Sequence, residues 1–117
     1  MADILMKRIY EPAEPADGFR ILVDRLWPRG IKKENAGIDL WIKDIAPTTA
    51  LRKGLHSGHL TWSDFEALYR TELLDNPALD PFVQRVREEQ TVTLLFAGKD
   101  TEHNQAKVIA ELLKQKI

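Results

Sequence analysis

Thr91 to Ala97 reads Thr-Val-Thr-Leu-Leu-Phe-Ala, a near-continuous apolar run without a charged residue. A strand of that composition suits the centre of a parallel sheet covered on both faces. Parallel neighbours cannot be joined by tight hairpins, so the rest of the chain must supply crossover connections. Ile4 to Tyr10 reads as a half-buried strand and Phe19 to Leu26 as a second. In the second, alternation places Phe19, Ile21 and Val23 on one face, and Leu22, Asp24 and Leu26 on the other. Ile38 to Ile45 also alternates; strand is the favoured reading, with a short helix as its competitor.

Helical signals lie between these runs. Thr48 or Thr49 can N-cap a short helix through Leu55, with Arg52 and Lys53 late in it, where the helix dipole favours cations. Thr61, with Asp64 three residues on, forms a capping box for a helix to about Leu74. Its apolar stripe is Trp62, Phe65, Leu68, Tyr69 and Leu73. Asn76-Pro77 and Asp80-Pro81 announce another helix. Asp100 or Thr101 is expected to cap a last one, which buries Ala106, Ile109, Leu112 and Leu113. Glu11 to Gly18, with two prolines and Asp17-Gly18, reads as a surface loop. The pattern predicts a single α/β domain over residues 1–117. Its architecture is a three-layer sandwich, with an about four-stranded, largely parallel sheet flanked by helices.

In such sheets ligands bind beyond the carboxyl ends of the strands. Two polar loops fall there. Asp24-Arg25-Leu26-Trp27-Pro28-Arg29-Gly30 follows the second strand, and Gly98-Lys99-Asp100-Thr101-Glu102-His103 follows the last. If those strands are parallel neighbours, the loops face each other across one crevice. Asp24 is expected on an inward, largely apolar face. An ionised carboxylate there needs a cation or several N–H donors, or its pKa must rise. Arg25 lies on the opposite face, so Arg29, Lys99 and Arg20 are the first cations to consider. The arginines can clamp an anionic group, and Gly98, Lys99, Asp100 and Thr101 form a strand-to-helix junction whose amides can hold phosphate or carboxylate. Acid–base chemistry would fall to Asp24 with His56 or His103. Each reading has a plainer counterpart: an ion pair for Asp24, an N-cap for Asp100, a solvated Lys99. His56-x-x-His59 lacks an evident third ligand, so no metal is expected, and no cofactor.

A net charge of -1 gives no global attraction to nucleic acid or anionic lipid. There is no cysteine, and no apolar run approaches bilayer length, so the expectation is a cytoplasmic protein with no membrane association. The favoured partner is a small anion of phosphate or nucleotide type, bound with or without acid–base or hydrolytic chemistry. The alternatives are a non-catalytic module for nucleic acid or a nucleotide, and an interaction domain docking through Trp27 or Trp41.

Several blocks together resemble a known family: Arg8-Ile-Tyr-Glu-Pro12, Val23-Asp-Arg-Leu-Trp-Pro-Arg-Gly30, Ala46-Pro47, Leu51-Arg-Lys53, Trp62-x-x-Phe65 and Ala97-Gly-Lys-Asp-Thr-Glu-His-Asn-Gln-Ala106. They are similar to the YeaO-like branch of domain-of-unknown-function family 488, over nearly the whole chain. The resemblance implies a compact prokaryotic α/β domain and no particular activity. Asp24, Pro28 and Arg29 match the family motif. The longer branch carries Cys-Ala-Glu and then Cys-His-Arg near its end, where this chain reads Phe96-Ala-Gly-Lys-Asp100 and His103-Asn-Gln105, so thiol chemistry does not transfer.

Overall fold

A computed structural model describes residues 2–117 and shows one sheet of four strands. The strands are β1 (Asp3–Arg8), β2 (Phe19–Leu22), β3 (Leu40–Trp41) and β4 (Thr91–Phe96), in the order β1-β4-β2-β3. Every pairing is parallel. The helices are α1 (Lys33–Ala36), α2 (Thr49–Ser57), α3 (Trp62–Asp75), α4 (Leu79–Arg87) and α5 (Gln105–Lys116). The α/β sandwich is the expected one, with the apolar run Thr91–Phe96 between two parallel neighbours. No helix among the described residues is long and apolar enough to cross a membrane.

The two faces are covered differently. Ile21, Val23, Val92, Leu94 and Phe96 pack against α3, α4 and α5 through residues such as Phe65, Tyr69, Phe82, Val86 and Ile109. On the other face Leu22 and Leu95, with Ile9, lie beneath Trp27, Ile31, Ile38 and Trp41. That second cover is the β2–β3 connection rather than a long helix.

Two strands are shorter than their patterns suggest. The second was expected to reach Leu26, but its ladder stops after Val23, whose N–H still donates to Leu95 O (3.1 Å). The third was expected over Ile38–Ile45. Asp39 N donates to Arg20 O (2.8 Å) and Ile42 N to Leu22 O (3.0 Å), and then Lys43–Ile45 coils into a 3-10 turn. An edge strand whose one neighbour has ended has nothing further to pair with. Thr61 and Asp64 form the expected capping box, and Thr48 caps α2. Helix α4 starts at Leu79, so Pro81 sits within the first turn, where its missing N–H costs no hydrogen bond.

The loop before β2 differs most from its polar reading. Asp17 is buried at the end of a 3-10 turn. Its carboxylate receives Lys7 Nζ (2.8 Å) and the Arg20 guanidinium, while its carbonyl accepts Thr93 Oγ1 (2.7 Å). Arg20, itself buried, also donates to Gly37 O (2.9 Å). Gly18 follows at φ 64°, where a Cβ would stand 2.4 Å from Thr91 O. Burial on its own raises the Asp17 carboxyl, but Lys7, the Glu14 amide and Arg20 outweigh it and hold it below the ordinary value. Because the folded pKa is lowered, the network's stability is complete above about pH 4 and is lost as pH falls through that lowered value. Asp17→Asn is expected to cost about 3–5 kcal/mol at pH 7, by leaving the buried Arg20 without a counter-charge, while Lys7 keeps Glu14 (2.8 Å). Urea midpoints of variant and wild type should converge toward low pH; an undiminished gap there would show that the cost is not electrostatic.

Candidate functional site

Because β2 and β4 run parallel side by side, the chain leaves both at the same end. The loops after them face each other across a cavity of about 350 Å³, and α2 with the Ala46-Pro47 turn closes a third side. Asp24, Arg25, Arg29, Gly98, Lys99 and Asp100 line it, as do His56 and His103. Thr101, the remaining expected site residue, is exposed and lies outside the lining.

Asp24 stands at the floor. One carboxylate oxygen accepts the Ala97 N–H (2.9 Å), and the other accepts the Gln105 side-chain amide at the start of α5. Its carbonyl accepts the Trp41 indole N–H (2.7 Å). The acid therefore continues the β2–β4 ladder one step with its side chain and joins both loops to α5. Its partners are N–H donors and not the cations considered first. Arg20 is committed to Asp17, and neither Arg29 nor Lys99 hydrogen-bonds Asp24 among the described residues. The nearby cation is Arg52. Burial raises the Asp24 carboxyl above the ordinary range, and Ala97 N–H, the Arg52 charge and Gln105 offset part of the rise. Behind it, buried Tyr69 donates its hydroxyl to Ile45 O (2.6 Å). Burial, with the charges of Glu72 and Asp24, keeps that phenol protonated.

The rest of the first loop is held by its own backbone. The Trp27 indole donates to Ile31 O (2.6 Å), and Ile31 N donates to Pro28 O (3.4 Å). Gly30, at φ 80°, sits where this turn needs a left-handed residue. Tyr10 Oη donates to Arg29 O (2.9 Å), so the Arg29 backbone is fixed while its side chain has no protein acceptor among the described residues. Arg25 places one terminal nitrogen on Ala46 O (3.2 Å) and Pro47 O (3.1 Å), stapling the third wall; its other nitrogens have no protein acceptor there.

The second loop differs from its sequence reading in one respect. Helix α5 starts at Gln105, capped by the buried Asn104, whose side chain accepts Lys107 N (3.1 Å). Asp100 caps a preceding turn instead, accepting the amides of Glu102 and His103 (2.9 Å each). Those two amides lower the Asp100 carboxyl below its ordinary value. Asp100 and Thr101 are thus not the helix cap: the shorter local loop from Asp100 captures the first free amides, so the helix begins later. Arg8 donates to the carbonyls of Ala97 and Gly98 (2.9 and 2.8 Å). The amides of Gly98, Lys99, Asp100 and Thr101 donate to no protein acceptor among the described residues.

His103 stacks on Trp62, with ring centroids 4.9 Å apart, and its Nδ1 is 3.8 Å from Asp100 Oδ2. His56 is exposed near the end of α2. Three contributors were missed in the sequence: Arg52, Gln105 and Tyr10. Arg52 had the local explanation of a cation near a helix C-terminus. Gln105 and Tyr10 carry no charge, and no local pattern points them at a site formed by distant elements. Among the described residues no three acids or histidines come together as a metal site.

The fold and site define a small parallel α/β protein with a cation-lined crevice at the carboxyl ends of its strands. The chain belongs to the DUF488 family: the family model described as the inactive DUF488-N3 subclade matches residues 3–117. It is 43% identical over 112 residues to the uncharacterized protein YeaO of Escherichia coli strain K12, covering 96% of this chain and 97% of that protein. It is 36% identical over 110 residues to the uncharacterized protein Rv3073c of Mycobacterium tuberculosis H37Rv, covering 94% and 92%. No solved structure matches the chain.

Asp24→Asn and Asp24→Ala separate the latch from the charge. Asparagine keeps an oxygen for Ala97 N–H and removes a half-buried charge, so its urea midpoint at pH 7 should not fall. Alanine leaves that N–H unpartnered and should cost about 1–3 kcal/mol. Because burial raises the folded pKa, the wild type is disfavoured as pH rises through that value. The stability difference should therefore move in favour of Asp24→Asn as pH rises from about 4 to 7. A movement in the opposite sense would mean that Asp24 is stabilised as the anion.

Proposed function

We propose that the crevice binds a small anion of phosphate or nucleotide-like character and does not transform it. The observation that carries this reading is that Arg25, Arg29, Arg52 and Lys99 line one cavity, and none of them enters an ion pair among the described residues. The four cations outnumber the two carboxylates of the same lining, Asp24 and Asp100, and an anion relieves the excess positive charge. The unpartnered amides from Gly98 onward add donors of the kind that cradle phosphate. The apolar part of the lining, with Leu26, Trp27, Leu55 and Phe65, gives an organic group a surface to rest on.

The reading without turnover is supported by what the acid–base candidates are engaged in. Asp24 gives both carboxylate oxygens to structural donors, and His103 is stacked against Trp62. The description of the subclade as inactive points the same way. Titration calorimetry with inorganic phosphate and with AMP tests the proposal. Arg29→Ala and Lys99→Ala should each weaken binding by about tenfold, or ~1.4 kcal/mol, without altering the circular dichroism spectrum. A wild-type protein that binds neither ligand would end this reading. Phosphate release from AMP that is lost in Asp24→Asn would restore the hydrolytic one.

A further inference from the structure

Helix α2 carries Arg52, Lys53 and His56 and no acidic residue. Its outer surface forms a second, open concavity lined by Arg52, Lys53, Gly54, His56, Ser57 and His59. Arg52 and His56 line both this concavity and the crevice, so the two adjoin at those side chains. Neither Arg52 nor Lys53 has a side-chain hydrogen bond or ion pair among the described residues, so neither is occupied in capping the helix carbonyls.

The loop after α2 is shaped to bring a further donor back onto this surface. Gly54 packs so tightly on Leu60 that a Cβ would lie 2.7 Å from Leu60 Cδ1, and Leu60 N donates to Gly54 O (3.0 Å). The chain thereby folds back after Gly58, which sits at φ 82°. Ser57 Oγ lies 2.8 Å from His59 Nδ1 and can donate its proton there, which places the proton of the neutral ring on Nε2. With Nδ1 so engaged, Nε2 is the nitrogen left to meet a ligand.

We propose that this surface is a second phosphate subsite, and that crevice and subsite together take a ligand with two linked phosphates, of the nucleoside diphosphate class. Arg52, with five N–H donors in a rigid fork, bridges the two phosphates. Arg29, Lys99 and the amides of Gly98, Lys99 and Asp100 hold the one in the crevice. Lys53 and His59 hold the outer one. The wall around Leu26 and Trp27 receives the organic part.

The inference rests on the anion-binding reading of the crevice, and the test separates the two. Calorimetric titrations compare inorganic orthophosphate, inorganic pyrophosphate and ADP on the wild type and on a Lys53→Ala/His59→Gln double variant, both changes being at exposed positions. The wild type should bind pyrophosphate at least tenfold more tightly than orthophosphate. The double variant should lose that preference and keep its orthophosphate affinity. ADP at least as tight as pyrophosphate supports the nucleotide form; ADP weaker supports an inorganic polyphosphate in the same two subsites. If the wild type shows no preference, or the double variant retains it, the subsite is overturned while the crevice stands. If neither inorganic anion binds, both readings fall. If a 5′-phosphorylated oligonucleotide binds more tightly than ADP, with affinity falling steeply with salt, α2 is a nucleic-acid contact and the proposal is overturned.

Discussion

The hydrogen bond from Ala97 N–H to the Asp24 carboxylate is where sheet and site become one structure. At that step the β2–β4 ladder has run out of backbone partners, because β2 turns away into Arg25 and the Trp27-Pro28 exit. A side chain takes the place of a carbonyl, so the strands can diverge and open a crevice without orphaning an amide. The second oxygen reaches Gln105 and the carbonyl takes Trp41, tying the divergence to α5 and to the edge strand. The same burial that makes the latch useful raises the cost of its charge, and Arg52 moderates that cost across the cavity.

The unequal covering of the sheet follows from where its polar groups are satisfied. The face carrying Ile21, Val23, Leu94 and Phe96 has no buried charge to accommodate and takes the helices. The opposite face carries Arg20 and Lys7, both turned to Asp17, together with the indoles of Trp27 and Trp41, which reach carbonyls. A loop can bring carbonyls to such groups, whereas a helix has already used most of its own. The Trp27–Trp41 pair, edge to face at 5.4 Å, is therefore the cover of this face and the back wall of the Asp24 loop.

Much of the crevice was legible in local terms. An acid in an apolar strand, arginines beside a Trp-Pro exit and a Gly-Lys-Asp junction each cost something in isolation, and each lines the cavity. Legibility stopped where a residue had an adequate local explanation. Arg52 looked like a helix-end cation, Asp17 like a turn former and Gln105 like an ordinary helix residue. Each owes its role to a partner from another element: Arg52 to Asp24, Asp17 to Lys7 and Arg20, Gln105 to Asp24. The choice between Asp100 and Asn104 as helix cap was beyond local reasoning for the opposite reason. Both are good caps, but the Asp100 carboxylate is taken by the amides of Glu102 and His103, and the helix starts where Asn104 accepts Lys107 N.

By itself the sequence determined the parallel α/β class, the central place of Thr91–Phe96 and two polar loops at strand ends, which follow from periodicity and from apolar runs. That the loops meet was decided by the adjacency of β2 and β4, since parallel strands leave a sheet at matching ends. Only the tertiary structure decided that Asp24 would be held by N–H donors, that Asp17 would be an ion hub and that Arg52 would look into the crevice. Strand order and loop closure set these distances between residues far apart in the chain, and no local pattern encodes such a distance.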